Sequence, residues 1–341
     1  MGAPTVLAPP ATADLKPRVG FIGTGWIGRH RMEAMLDAGR IEAAAIADPS
    51  PAAAEAAREL APDACLAASF EEMLSLGLDG VVIATPSALH AQQAIQALEA
   101  GAAVFCQKPL GRTAAEARAV VDAARANDRL LSVDLSYRFT EAFRRIETEV
   151  RAGALGRVYA LDLTFHNAYG PDKPWFYDRA LSGGGCLIDL GVHLVDLALW
   201  LLDFPRVLST SGALYAKGRR LAPGEDAVED YAVATLELEG GRTVRIACSW
   251  NLDAGCDAVI SAEVHGETGG ARVSNIGGSF YDFRAERLLG TQRQVLVEPP
   301  DPWGGRAGVD WARRLAAGER FDPEAERLVE VARVLDRIYG R

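Results

Sequence analysis

Residues 19–35, VGFIGTGWIGRHRMEAM, lead from an apolar strand pattern through a glycine-rich turn into a helix pattern. Gly23, Gly25 and Gly28 give the spacing GxGxxG at that junction. In this context the first glycine permits a tight turn, the second admits a pyrophosphate against the backbone, and the third lets the helix pack on the strand. The N–H groups at the start of the helix favour phosphate. The stretch therefore predicts a dinucleotide-binding unit.

The chain on either side of this turn, residues 18–135, alternates strand and helix patterns. Alternation of this kind predicts a doubly wound α/β fold with a parallel sheet and right-handed crossovers. Short apolar runs without polar alternation are typical of strands buried on both faces. The predicted strands are 18–22, 43–47, 81–85, 103–106 and 130–134, and the predicted helices are 27–38, 51–60, 69–76, 87–100 and 113–126.

Asp48 ends the second strand pattern, twenty residues after Gly28. A carboxylate there is placed to accept hydrogen bonds from the adenosine ribose hydroxyls. It could also cap the following helix, and the two roles are compatible. No Lys or Arg follows closely, so a 2′-phosphate would meet a negative charge alone. This favours NAD over NADP, with NADP possible.

Further candidates follow the later strands, at the sheet edge where ligands of open α/β folds bind. Thr85 and Pro86 end one strand pattern, and a histidine such as His90, in the next helix, is by itself more often a capping or surface residue than a ligand. Gln107 and Lys108 end another, and Lys108 either points into the crevice or is a solvated loop lysine. The expected cofactor-binding residues are Gly23, Gly25, Trp26, Ile27, Gly28, Asp48, Thr85, Pro86, His90, Gln107 and Lys108.

After residue 137 the pattern changes to period-2 alternation, which predicts antiparallel hairpins with one packed face and one free face. We expect a dinucleotide-binding domain at 17–136 and a substrate-binding and oligomerisation domain at 137–341. The free face predicts a homodimer or homotetramer. The expected strands are 158–165, 207–215, 231–238, 243–250 and 258–265, and the expected helices are 140–152, 308–317 and 323–339.

Residues 183–203, GGGCLIDLGVHLVDLALWLLD, form an apolar helix pattern interrupted by Asp189, His193 and Asp196. At about 100° per residue these three fall on one face. Buried carboxylates and imidazoles need partners, so the stripe indicates either a ligand cavity or structural polar pairs.

Composition limits the class of protein. The net charge of −10 over 341 residues argues against a nucleic-acid partner. No apolar run reaches the roughly 18 uncharged residues that span a bilayer, so no membrane partner is expected. Five cysteines without CxxC spacing predict no metal site and free thiols in a reducing cytoplasm. Residues 1–16 resemble a loose leader without secretory features.

Five motifs, in order, resemble the glucose–fructose oxidoreductase/inositol dehydrogenase/rhizopine-catabolism (Gfo/Idh/MocA) family over residues 17–340. They are GTGWIG with Asp48, ATPSALH, QKPLGRT where the family usually has EKP, YRF, and GGGCLIDLGVHLVDLALWLL. The resemblance implies a Rossmann domain and an α/β domain with a large open, mostly antiparallel sheet. It also implies NAD(P)-linked oxidation or reduction of sugars and polyols.

By motif position, the resemblance implies a catalytic lysine at Lys108, a helix-borne aspartate at Asp189 and an acid/base histidine at His193. Our hypothesis is that His193 takes the hydroxyl proton while Lys108 stabilises the reacting oxygen. Asp189 would orient the imidazole or bind a substrate hydroxyl, and a structural role is favoured for Asp196. The expected substrate-binding residues are Tyr137, Arg138, Asn167, Trp175 and Arg179.

The chain departs from the family pattern at Gln107, which replaces the usual Glu, and at Arg31, where a His is frequent and His30 comes one place early. Neither Arg31 nor His30 is assigned a role. The alternatives are an NADPH-linked keto-sugar reductase, a redox-neutral NAD-dependent glycosidase and a non-catalytic NAD-binding regulator. The presence of both Lys108 and His193 favours an enzyme.

Overall fold

A computed structural model of the protein describes residues 16–341. The leader expected at residues 1–16 lies outside the described range except for Lys16. Two sheets dominate the described part: a parallel sheet whose strands lie within residues 18–133 and a larger mixed sheet whose strands lie within residues 158–297.

Within residues 16–341, six strands form the first sheet in the order β3-β2-β1-β4-β5-β6, all parallel. This confirms the predicted Rossmann architecture. The two-residue strand β3 is too short for a sequence pattern and was not predicted. The strands are β1 Arg18–Ile22, β2 Glu42–Ala47, β3 Cys65–Leu66, β4 Gly80–Ile83, β5 Ala103–Cys106 and β6 Leu131–Val133. The helices are α1 Trp26–Asp37, α2 Pro51–Arg58, α3 Phe70–Leu74, α4 Ser87–Glu99 and α5 Ala114–Ala126.

Local sequence explains these elements. Every residue of β4 and β5 is buried, as expected for strands covered on both faces. Helices α2, α3 and α5 start at Ser50, Ser69 and Thr113, whose side chains accept a hydrogen bond from the backbone N–H three residues on. Ser50 is thus the N-cap of α2, and the alternative capping role for Asp48 is wrong.

The second sheet has nine strands in the described range, in the order β15-β14-β13-β12-β7-β11-β10-β8-β9. Its neighbours are antiparallel except for the parallel pair β7 and β11, which confirms a mostly antiparallel sheet. The strands are β7 Val158–Asn167, β8 Val207–Ala216, β9 Arg219–Arg220, β10 Tyr231–Leu238, β11 Arg242–Ser249, β12 Ala258–Gly266, β13 Gly270–Asn275, β14 Phe283–Leu289 and β15 Gln292–Val297.

Five α-helices lie after residue 140 in the described range. They are α6 Glu141–Arg151, α7 Arg179–Ser182, α8 Val192–Leu201, α9 Arg306–Ala316 and α10 Glu326–Tyr339, with a π-helical turn at Leu187–Gly191 directly before α8. Helix α8 packs with Leu161, Leu163 and Ile246 of the sheet in one apolar cluster. The stretch Arg179–Leu201 is long and apolar enough to cross a membrane by composition, and 89% of its most apolar window is buried inside the protein.

The last two helices return to the first sheet. Trp311 of α9 is fully buried with Val19 and Phe21 of β1. A Cβ on Gly80 would lie only 2.8 Å from its indole ring, so β4 has room for no side chain there. Val329 of α10 joins the cluster on the opposite face. The division at residues 136 and 137 is our proposal, and these contacts mean that α9 and α10 help to complete the core of the first part.

Candidate active site

A cavity of about 560 Å³ lies where the carboxyl ends of β4 and β5 meet the π-helical turn and α8. This volume is within the range of small-molecule and cofactor sites. Its walls bring together most of the residues singled out in the sequence. Those that line it are Gly25, Trp26, Ile27, Thr85, Pro86, His90, Gln107, Lys108, Tyr137, Trp175, Asp189 and His193.

The glycine turn has the geometry that a dinucleotide requires. Gly23 has a φ of +79°, and a Cβ there would lie 2.5 Å from the Ala84 carbonyl oxygen. A Cβ on Gly28 would lie 2.0 Å from the Gly23 carbonyl oxygen, so only glycine lets α1 approach β1. A Cβ on Gly25 would meet nothing within 4 Å, which leaves open space at the cavity wall.

Asp48 lies against this turn rather than on the cavity wall. Its Oδ2 accepts a hydrogen bond of 2.6 Å from the backbone N–H of Thr24, and its Oδ1 accepts one of 2.8 Å from Ser50. The carboxylate therefore braces the glycine turn from β2, beside the position expected for the adenosine ribose.

Lys108 is a crevice residue and not a solvated loop lysine. Its Nζ donates to the Asp189 carboxylate Oδ1 at 2.5 Å and to the Asp189 carbonyl oxygen at 2.9 Å. The other carboxylate oxygen, Oδ2, accepts a hydrogen bond of 3.1 Å from the indole N–H of Trp250. Asp189 thus orients the lysine, and the expectation that it orients the His193 imidazole is wrong because the hydrogen bonds found for Asp189 within residues 16–341 go to Lys108 and Trp250.

Trp250 was not predicted from the sequence. It directly follows β11 and is buried. Its position beside Asp189 depends on pairing within the second sheet, which no local pattern reveals.

The glycine triplet before α8 is explained by close packing. A Cβ on Gly184 would lie 2.1 Å from the Tyr339 hydroxyl, and one on Gly185 would lie 1.9 Å from the Glu229 carbonyl oxygen. The buried Glu229 carboxylate accepts hydrogen bonds from the N–H groups of Gly185 and Leu187 and from the Tyr339 hydroxyl. Burial raises the pKa of Glu229. This cluster fixes the π-helical turn that holds Asp189.

His193 lies on the cavity wall, with its ring edge-to-face against Tyr137 at a centroid distance of 4.9 Å. Burial lowers the pKa of the imidazole well below its usual value, and the positive charges of Lys108 and Arg31 lower it further. The ring is therefore neutral at pH 7 and can accept a proton.

His90 is buried, so the surface alternative is wrong. Its Nδ1 lies 2.6 Å from the Pro109 carbonyl oxygen and its Nε2 lies 2.7 Å from the Thr85 carbonyl oxygen. Both ring nitrogens contact the backbone, and burial lowers the pKa of the ring. His90 therefore joins the turn after β4 to the turn that carries Lys108, and its nitrogens are not directed at a ligand.

Three expected substrate-binding residues do not line the cavity. Arg138 forms an ion pair with both carboxylate oxygens of Asp196 in α8, and its Nε donates a 2.7 Å hydrogen bond to Oδ2. Arg179 donates to the Glu225 carbonyl oxygen, and Asn167 is the last residue of β7 and is not part of the cavity wall. The expected cavity positions of Arg138, Asn167 and Arg179 are wrong, because long-range pairing rather than sequence proximity determines where these side chains point.

Two other charged residues on the cavity wall were missed. Arg31 Nε donates to Asp134 Oδ2 at 2.6 Å, and the Gln107 Nε2 donates to the same oxygen at 2.7 Å. All three side chains line the cavity and are almost fully buried. The departures at positions 31 and 107 were the available signal, but the carboxylate that joins them lies at the end of another strand.

Comparisons with known proteins agree with this architecture. The NAD-binding Rossmann-fold model of the Gfo/Idh/MocA oxidoreductase family matches residues 17–135, and its C-terminal domain model matches residues 143–272. Inositol 2-dehydrogenase of Acidiphilium cryptum is 32% identical over 74% of this chain and 72% of its own length. Levoglucosan dehydrogenase of Pseudarthrobacter phenanthrenivorans is 29% identical over 84% of this chain and 81% of its own length.

D-glucoside 3-dehydrogenase of Escherichia coli is 30% identical over 58% of this chain, and the match spans 60% of its own length. Among solved structures, GenD2 from gentamicin A biosynthesis in complex with NAD has a TM-score of 0.80 at 24% identity, covering 98% of this chain and 97% of that one. Levoglucosan dehydrogenase in complex with NADH and levoglucosan has a TM-score of 0.81 at 23% identity, covering 95% and 96%. These structures share the fold, and the family models with the inositol dehydrogenase match establish that the chain belongs to the Gfo/Idh/MocA family of NAD-binding oxidoreductases.

Proposed function

We propose that the protein transfers a hydride between a nicotinamide cofactor and a secondary hydroxyl or keto group of a sugar, polyol or related carbohydrate. The observation that carries this proposal is the convergence of Lys108, Asp189 and His193 on one cavity that begins at the glycine turn. The dehydrogenase activities named for the relatives support it.

The described residues fit a bound dinucleotide. The turn at Gly25 leaves open space for the pyrophosphate, and the N-terminus of α1 offers its N–H groups. Asp48 next to the turn favours ribose hydroxyls over a 2′-phosphate, because two negative charges would repel there. We therefore propose NAD as the preferred cofactor. When bound, it supplies the site that accepts or donates the hydride.

The protein's own residues handle the proton and the developing charge. Neutral His193 is proposed to accept the hydroxyl proton of the substrate, since an unprotonated imidazole acts as a general base. The Lys108 ammonium is proposed to donate a hydrogen bond to the reacting oxygen and stabilise its negative charge. Asp189 keeps that ammonium in the crevice through two contacts.

The remainder of the cavity is proposed to bind the carbohydrate. Tyr137 and Trp175 are the expected substrate contacts that line it, and Trp175 stacks on Phe176 with a centroid distance of 3.8 Å. Aromatic faces next to a few polar groups suit the apolar faces and hydroxyl edges of sugar rings. The keto-sugar reductase alternative uses the same residues in the opposite direction.

Assembly and compartment are also proposals. One face of the second sheet carries Asp162 and Arg245, whose side chains are 29% and 71% exposed, and Tyr159 on the central strand β7 is 46% exposed. We propose that this face forms a homodimer or homotetramer, which light scattering of the purified protein would reveal. All five cysteines are free thiols, which suits a reducing cytoplasm.

The experiment that tests this proposal measures NAD binding and then turnover of a panel of polyols and sugars. We expect Lys108→Ala and His193→Ala to lower turnover at least about 100-fold on a substrate that the wild type uses. Lys217→Ala, which removes an exposed lysine of the second sheet's edge, is the matched control. Unchanged turnover in both cavity variants would contradict the assigned chemistry, and failure to bind NAD would contradict the cofactor site.

A further inference from the structure

Three buried side chains on the cavity wall form a network that the proposed mechanism does not use. Arg31 and Gln107 donate to a single oxygen of Asp134, at 2.6 and 2.7 Å. Asp134 is 1% exposed, Arg31 6% and Gln107 8%. The three side chains lie on α1 and directly after β5 and β6, so the network joins three separate elements next to Lys108.

The network determines which way the Gln107 amide faces. An ionised carboxylate only accepts hydrogen bonds, so the amide nitrogen of Gln107 must be the atom that faces Asp134. The amide oxygen Oε1 is then directed away from Asp134. The hydrogen bonds found within residues 16–341 engage Nε2 of this side chain and leave Oε1 unused, and Gln107 lines the cavity with Gly25 and Thr85.

The charges of the network require a neutral residue at position 107. Arg31 supplies one positive charge and Asp134 one negative charge in a nearly water-free position. A second carboxylate 2.7 Å from Asp134 would be repelled strongly, because like charges at that separation cannot both stay ionised. Glutamine avoids this repulsion and still leaves an acceptor oxygen free.

We propose that Asp134, held by Arg31, is a positioning residue that locks the Gln107 amide with its oxygen toward the cofactor crevice, where it accepts a hydrogen bond from a hydroxyl or amide donor of the bound dinucleotide. This inference rests on the cofactor half of the proposed function and not on its carbohydrate half. Arg31 and Asp134 act through Gln107.

A residue swap tests the lock. In Gln107→Glu two carboxylates face each other, and we expect the dissociation constant for NAD to rise about tenfold at pH 8 and to recover at lower pH as one carboxyl is protonated. In Asp134→Asn the new side chain can donate as well as accept, so the amide orientation is lost and we expect about a fivefold rise. The double variant Gln107→Glu/Asp134→Asn restores one donor facing one acceptor and keeps one negative charge beside Arg31. Its affinity should return to within about threefold of wild type.

Binding is measured by calorimetry with NAD alone, and thermal unfolding is recorded for each variant. Asp196→Asn, which alters a buried Arg–Asp pair outside the cavity, is the matched control and should leave NAD affinity unchanged. The proposal would be overturned if Gln107→Glu bound NAD with wild-type affinity. It would also be overturned if the double variant lost as much NAD affinity as the two single variants together.

A further variant applies if the charged swaps do not fold. Gln107→Met removes the acceptor without changing charge, and the inference predicts about a tenfold weaker NAD affinity, so unchanged affinity would overturn it. Because these measurements use no carbohydrate, a protein that passes them but oxidises no sugar would contradict only the substrate part of the proposed function.

Discussion

Two aspartates seven residues apart on the same helical segment have opposite surroundings. Asp189 faces the cavity, where a lysine and the Trp250 indole contact its two oxygens, and its side chain is 13% exposed. Asp196 lies within α8 and outside the cavity wall; its side chain is 2% exposed, and Arg138 donates to both its oxygens. Helical spacing alone places both on one face.

The two aspartates differ in their local backbone and in the basic residue that contacts each of them. Asp189 lies in a π-helical turn, which shifts the helical phase between it and Asp196. An arginine holds a carboxylate with a rigid two-pronged contact, whereas a lysine is a single charge on a flexible chain that can also reach a ligand. A stripe of polar residues on a buried helix can therefore combine a reactive pair with a structural one.

The largest expected effect is on the free energy of unfolding, through the buried ion pair between Asp196 and Arg138. Asp196→Asn leaves the guanidinium of Arg138, only 21% exposed, without its charge partner. We expect a loss of about 3 kcal/mol in the free energy of unfolding, measured with urea, and kcat/KM within about threefold of wild type. Asp162→Asn disrupts the exposed Arg245 pair and should cost less than about 1 kcal/mol. Equal losses in the two variants would remove the contrast.

The second prediction concerns the turnover of a variant at Asp189, which lies on the cavity wall. Asp189→Asn weakens the anchor of the Lys108 ammonium, and misplacement of a catalytic group by about 1 Å can cost about 100-fold. We expect turnover to fall about 100-fold, equivalent to about 2.7 kcal/mol of activation free energy. The free energy of unfolding should change less than in Asp196→Asn. A variant that is mainly destabilised and still turns over normally would place Asp189 with the structural pair.

His193 lies between the two aspartates in the sequence, and its buried imidazole makes the stability of the protein depend on pH. Its pKa in the folded protein is well below that of the unfolded chain, about 6.5. As the pH falls below that value, the unfolded state takes up a proton that the folded state does not. Stability should therefore be complete above pH 6.5 and fall by up to about 1.4 kcal/mol per pH unit below it.

Urea unfolding between pH 7.5 and 5.5 measures this slope. His193→Gln should have a shallower slope than wild type, since it no longer contributes that proton. Identical slopes in the two proteins would show that His193 titrates normally.

The smallest expected effect is at Trp250. Trp250→Phe removes the N–H that contacts Asp189 Oδ2 but keeps an aromatic ring next to Phe176. Loss of one such hydrogen bond is worth about 1 kcal/mol, so we expect kcat to fall about fivefold with little change in KM. A larger change in KM than in kcat would instead indicate that Trp250 contacts the substrate.

Sequence patterns predicted the first sheet closely because parallel buried strands and capped helices have local signals. Strands 18–22 and 103–106 of that sheet have the same bounds in the structure, as does strand 231–238 of the second sheet. Strands β13, β14 and β15 were not predicted. Their exposed positions carry arginines such as Arg272, Arg284 and Arg293, and their short apolar alternation depends on pairing with neighbours.

Site residues could be predicted only where a sequence motif gives both the residue type and its place at the end of a strand or on a helix. Lys108, Asp189 and His193 meet at one cavity as expected. The contact partners of the site residues could not be predicted. The contacts of Gln107 with Asp134, of Asp189 with Trp250 and of Arg138 with Asp196 each depend on the packing of elements that are distant in the sequence. Sequence spacing indicates which element carries a side chain. The hydrogen-bond or ion-pair partner of that side chain depends on tertiary contacts.

The return of α9 to the first sheet limits how the two parts of this chain can be recombined. Trp311 occupies the space that Gly80 leaves open beside β4. A chimera that exchanges only residues 17–136 with those of a relative would pair this tryptophan with a foreign strand and leave either a void or a clash. Grafting the dinucleotide-binding part therefore requires transferring α9 with it, although about 170 residues of chain separate the two.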